Sequence, residues 1–207
     1  MGSFGKGKVR LRLLAGAMLA GLAGLSTPGV AQDTVPTLTD AEMLSAFGGR
    51  ANYSPDGERI VFVGKTGGDA YEIQLDSGAI RNLTKDFPHP GIARIQYLAD
   101  GNFLVTAARS ASDPNNRAHY ELWFLSSDLK HGLQPLGANA CEGVAVSRQS
   151  NLIAWTAPTE PLKPKESWQM AFMKPNTRST ARIAVTDGKA SLVDRQVIMA
   201  DLPKECN

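Results

Sequence analysis

NYSPDGERIVFVGKTGGDAYEIQLDSGAIRNLT, residues 52–84, holds three short apolar runs divided by three turn signals. The signals are Ser54-Pro55-Asp56-Gly57, Gly67-Gly68-Asp69 and Asp76-Ser77-Gly78. Ile60, Phe62 and Gly64 alternate with Val61, Val63 and Lys65, and Tyr71, Ile73 and Leu75 alternate with Glu72, Gln74 and Asp76. A period of two belongs to a strand, because successive side chains of extended backbone point to opposite faces. Glycine supplies the positive φ that tight turns between such strands need. The stretch therefore predicts an antiparallel meander with strands at about 51–54, 59–64, 70–75 and 79–84.

The same order recurs further along the chain. A second repeat starts at Ile92: Ile95 to Leu98 supplies the first strand and Asp100-Gly101 the turn, then come Asn102 to Ala107, Tyr120 to Leu125 and Leu133 to Leu136. A third, more degraded repeat runs through Gly143 to Ser147, a turn at Arg148-Gln149-Ser150-Asn151, and Leu152 to Thr156. After a proline-rich insertion at 158–180 it resumes at Ala181 to Thr186 and Ser191 to Ile198. Repeats of four short strands at this spacing indicate a propeller-like array, whose units complete their core by stacking on neighbours. The fold class expected is all-β: a partial β-propeller of about three four-stranded antiparallel blades at 51–93, 94–142 and 143–198, with 199–207 opening a fourth. Three blades leave open strand edges, which are prone to self-association.

The N-terminal segment is read apart from the fold. Lys6, Lys8, Arg10 and Arg12 precede an uncharged apolar run at 13–25, and Gly29-Val30-Ala31 offers small residues for cleavage. Residues 1–31 are expected to be a signal peptide, too short for a comfortable membrane span, with an uncleaved anchor as the competing reading. They carry four of the 22 basic residues and no acidic one, which leaves 18 basic against 20 acidic. The basic balance of the whole chain is thus an export signal and gives no warrant for nucleic-acid binding. In the lead-in at 32–50, Thr39 or Asp40 placed as a cap ahead of 41–47 predicts a short helix ending at Gly48-Gly49, with a strand as competitor. Leu44 and Phe47 are expected to pack it against the first blade.

The Ser54-Pro55-Asp56-Gly57 turn, the Tyr71 to Leu75 strand, Asp76-Ser77-Gly78 and Leu83-Thr84 together resemble the repeat of TolB-like, WD-repeat-like β-propellers. The resemblance covers about 51–198. It implies a scaffold rather than one activity, since the repeat occurs both in the periplasmic TolB component of the Tol–Pal envelope system and in the non-catalytic propellers of prolyl-oligopeptidase-type peptidases. The expected role is a periplasmic or secreted, non-catalytic scaffold that binds a protein partner in the cell envelope. The alternatives are a propeller remnant of such a peptidase and a propeller that binds a sugar or small ligand.

Candidate chemistry is sparse. No Gly-x-Ser-x-Gly nucleophile elbow and no phosphate loop occurs, and His89, His119 and His131 lack metal-ligand spacing. Asp56, Asp76 and Asp100 are explained as caps of their own turns. No cofactor and no metal site is expected. Trp168, Met170, Phe172 and Met173, clustered among the prolines of the insertion, are the candidate partner contact, because aromatic and methionine side chains are enriched in interface cores; tucking under a blade edge is the competing reading. Cys141 and Cys206 allow a disulfide in an exported chain, and two well-separated thiols in a fold that needs no staple allow both to stay free. Asn52-Tyr53-Ser54 and Asn82-Leu83-Thr84 match the glycosylation sequon and are read as chance.

Overall fold

A computed structural model describes residues 41–112, 120–141, 143–160, 166, 169 and 175–202, with side chains as far as residue 200. From Met43 onward the described residues belong to one compact unit. Among the described residues twelve strands follow one another: β1 (Gly49–Tyr53), β2 (Arg59–Val63), β3 (Ala70–Gln74), β4 (Ile80–Asn82), β5 (Ile92–Tyr97), β6 (Phe103–Ala108), β7 (Tyr120–Leu125), β8 (Leu133–Asn139), β9 (Val144–Val146), β10 (Leu152–Pro158), β11 (Asn176–Thr186) and β12 (Lys189–Leu202). They form three four-stranded sheets, β1 to β4, β5 to β8 and β9 to β12, each a meander of sequence neighbours. Every pairing within them is antiparallel. The chain is a partial β-propeller of three blades.

The strand registers show why the sheets stack. Tyr53 pairs with Ile60 in the first sheet, Tyr97 with Phe103 in the second, and Val146 with Ile153 in the third. On the next strand, Ile60 pairs with Ile73, Phe103 with Leu125 and Ile153 with Ala181. These residues hold equivalent places. Phe103, Val105 and Leu125 join Val61, Val63 and Ala70 in one cluster between the first and second sheets. Ile153, Trp155 and Ala181 join Leu104, Leu122 and Phe124 in another between the second and third. The second blade thus turns one face to the first blade and the other to the third. That is why both alternating sets of β6 are apolar. Each fully buried Leu, Ile or Phe contributes about 1.5–3 kcal/mol.

The turn glycines behave as the sequence requires, with φ of +78° at Gly57, +69° at Gly78, +85° at Gly101 and +76° at Gly188.

Three expectations are corrected. Residues 41–47 form no helix: the Ser45 hydroxyl donates to the Phe47 carbonyl at 2.8 Å and accepts from the Phe47 amide at 3.3 Å. A short side chain that bonds its own backbone offers an alternative to the helical ladder. Phe47 instead sets its ring edge-on to Phe62 and Tyr71, at 5.6 and 5.1 Å, so it does pack this segment on the first sheet. The insertion expected to last to Thr180 gives way to strand at Asn176, where β11 takes up pairing with β10 and with the long β12. The stretch from Met199, expected to open a fourth blade, continues β12 to Leu202. Among the described residues no helix is long and apolar enough to cross a membrane.

Candidate interaction surface

The turns that close β1 to β2, β5 to β6 and β9 to β10 come together at one end of the stack. In the first, the buried Ser54 hydroxyl donates to Asp56 and accepts from the Arg59 amide at 2.9 Å. Asp56 also accepts from the Glu58 amide at 3.0 Å and pairs with the Arg59 guanidinium at 2.9 Å. The Ser54 hydroxyl, then the Glu58 amide, then Arg59, hold the Asp56 carboxyl down at about 2. In the second turn Asp100 accepts from the Asn102 amide at 3.0 Å. Asp56 and Asp100 therefore cap their turns as read from the sequence. Asp128 does the same in the β7 to β8 turn, where Ser126 first and the Lys130 amide and ammonium next hold it at about 2.

Side chains tie these turns across blades. Asn151 donates to the Asp100 carboxylate at 2.6 Å, joining third to second. Arg148 reaches the carbonyls of Tyr53 and Ser54, each at 3.4 Å, joining third to first. Within the second blade, Asn102 accepts from the Ser127 amide at 3.0 Å and joins its two turns at this end. The Gln134 amide donates to the Gly188 carbonyl and accepts from the Ala190 amide, both at 2.9 Å, clamping β8 to the β11 to β12 hairpin. The result is one rigid, polar face built from loops of three blades. The sequence hid it: Arg148 and Asn151 stand where the Asp-Gly signal is lost, and nothing local marks them as cross-blade ties.

The opposite end carries a polar cleft of about 450 Å³ between the second and third sheets. Arg109, Glu121, Asn139, Thr159, Thr177 and Arg195 line it. Arg109 is engaged by Glu121 at 2.6 Å and Asn139 at 3.0 Å, and the Arg195 guanidinium lies 5.3 Å from the centre of the Trp155 ring. Among the described residues no three His, Cys, Asp or Glu side chains gather as a metal site.

His89, in the loop between β4 and β5, uses both ring nitrogens. It accepts the Gly91 amide on Nδ1 at 3.2 Å, so Nε2 carries the proton and donates to Asp69 at 2.9 Å. Asn82 donates to the same carboxylate at 2.7 Å and accepts the amides of Thr84 and Lys85, both at 2.9 Å. The Asn82 bond first and the His89 bond second lower the Asp69 pKa against the opposing effect of burial. Asn52 accepts the Tyr97 amide at 3.0 Å. Both sequon asparagines are thus used within the fold. His131 lies against Gly188.

Of the predicted contact residues, Trp168, Met170, Phe172 and Met173 lie outside the described residues, as do His119 and Cys206. Cys141 is buried and disulfide-bonded.

The sequence matches no protein-family model and no curated protein. The three-dimensional fold does have counterparts. TolB from Agrobacterium tumefaciens is similar over 79% of this chain and 53% of its own, at 12% identity and a TM-score of 0.52. The chain has a TolB-like propeller fold. TolB from Acinetobacter baumannii is matched over 73% of this chain and 34% of its own, at 16% identity and a TM-score of 0.46. The TolB-like array here spans about half the length of the first of these and a third of the second. At such identities the likeness concerns the fold.

Proposed function

We propose that this chain is an exported, non-catalytic scaffold of the periplasm or cell envelope that binds another protein across its turn face. The observation that carries the reading is the locking of loops from three blades by Arg148, Asn151 and Gln134. A loop surface held rigid loses little conformational entropy on binding, which favours recognition by shape. Export is supported by the charged and apolar N-terminal segment, and a scaffold role by the TolB-like fold.

Site-specific photo-crosslinking in the envelope of the producing cell tests this. A photoreactive residue replaces Glu58 or Ser127 on the turn face, or Thr66 at the other end. Discrete protein adducts from the first two and none from Thr66 are expected. No adduct from the turn face, with sugar captured on a glycan array instead, would sink the proposal.

A further inference from the structure

The polar cleft between the second and third sheets carries a cation that the fold does not neutralise. Arg195 stands on β12, and its guanidinium lies over the Trp155 ring, 5.3 Å from the centre. Trp155 is 3% exposed and belongs to the core between these two sheets, so the ring is a fixed floor for the charge. Among the described residues Arg195 has no ion pair and no hydrogen bond. The other arginine of the cleft is already balanced. Arg109 donates from Nε to Glu121 at 2.6 Å and from a terminal nitrogen to Asn139 at 3.0 Å. The Glu121 side chain is only 12% exposed, and a carboxylate so placed keeps its partner, because losing it would leave a buried charge unpaired. Two arginines against one glutamate leave the described lining with one net positive charge, and it sits on Arg195.

The cleft has room for a ligand. Ala138 and Ala157 are buried in the same core as Trp155 and line the cleft with small side chains, which keep it open to about 450 Å³. Sites for small molecules run from about 300 to 1,000 Å³. Ala157 pairs in register with Thr177, which brings that hydroxyl to the cleft beside Thr159 and Asn139. Neutral polar groups thus surround the free guanidinium. A guanidinium presents its N–H donors as a planar fork that matches a carboxylate, and a pair formed over an apolar floor is less screened than one in open water.

We propose that this cleft binds a small molecule bearing a single carboxylate, which pairs with Arg195 above the Trp155 ring. A phosphate dianion would bring a second negative charge toward Glu121, so a monoanion suits the balance of charge better. The site lies at the end opposite the turn face and is independent of what binds there.

Isothermal titration calorimetry on the purified full chain tests this with three probes: N-acetylglycine, its neutral counterpart N-acetylglycinamide, and inorganic phosphate. Saturable binding of N-acetylglycine is expected, with the amide weaker by about tenfold or more, since a hydrogen bond to a charged group is lost. Arg195→Gln should weaken N-acetylglycine by a similar factor. Arg195 is exposed, so the variant leaves the inter-blade core in place, and circular dichroism checks that it keeps the wild-type fold. The wild-type comparison of acid with amide needs no variant at all. No saturable binding of N-acetylglycine, an amide that binds as tightly as the acid, phosphate that binds more tightly than either, or undiminished binding in a folded Arg195→Gln would overturn the proposal.

Discussion

The hydroxyl of Tyr97 donates to the carboxylate of Glu72 at 2.5 Å, across the junction of the first and second sheets. Glu72 is 4% exposed, and the Arg81 guanidinium holds its other oxygen at 2.6 Å. A buried carboxylate needs every partner it has, because an unmet acceptor keeps its desolvation penalty. Tyr97→Phe removes one donor and changes little volume, so a loss of about 1–3 kcal/mol is expected in urea denaturation. Burial first, then the Glu72 bond, push the Tyr97 pKa up. The folded value therefore lies above the unfolded one of about 10. The stabilising contribution is complete below pH of about 10 and is lost as pH rises beyond it. The wild type should lose stability more steeply there than Tyr97→Phe.

Asp56 gives the opposite arm. Its folded pKa of about 2 lies below the unfolded value of about 3.9, so its contribution is present above that unfolded value. It is lost as pH falls from about 4 toward about 2. Asp56→Asn keeps an acceptor for the Glu58 amide but does not titrate. Denaturation midpoints followed from pH 5 to pH 2 should fall more steeply for the wild type than for the variant. Parallel curves would refute the assignment.

The strands and turns were legible because each rests on a local pattern: alternation at Ile60 to Val63, a positive-φ glycine at Gly57 and Gly101. The side of a residue was harder to read. Glu72, alternating with Tyr71 and Ile73, looks like the polar face of a half-solvated strand. In a stack buried on both faces it points into the next blade, and only that blade supplies Tyr97 as its partner. Asn176 to Thr180 show no apolar alternation, and they enter a strand because β12 runs long enough to pair with them. The turn face was hidden for the same reason. Arg148 and Tyr53 are far apart in sequence and meet only once three blades are stacked.

Gln134 joins two blades through backbone groups alone. Its amide oxygen takes the Ala190 amide and its nitrogen donates to the Gly188 carbonyl. Gln134→Ala leaves both half-buried groups without that partner, and a loss of about 1–3 kcal/mol is expected from the denaturation midpoint. Gln134→Glu keeps the acceptor but not the donor, so it should fall between wild type and Gln134→Ala at neutral pH. Amide exchange at Ala190, faster in Gln134→Ala than in wild type, would tie the loss to the clamp.

Gly48 and Gly57 both hold positive φ, at +101° and +78°, but their surroundings differ. A Cβ on Gly57 would meet open space, whereas one on Gly48 would come within 2.4 Å of the Phe62 ring and 3.1 Å of the Val63 carbonyl. The Phe62 ring is 5% exposed and stacked on Tyr71 at 5.7 Å, so it has little room to yield. Gly57→Ala carries only the backbone strain of an alanine in the left-handed region, about 1–2 kcal/mol. Gly48→Ala adds overpacking of about 1–3 kcal/mol. Urea denaturation should rank Gly48→Ala as the more damaging, and the near-ultraviolet signal of the Phe47, Phe62 and Tyr71 cluster should change in that variant alone. Equal losses would mean that the lead-in does not hold Gly48 against the first sheet.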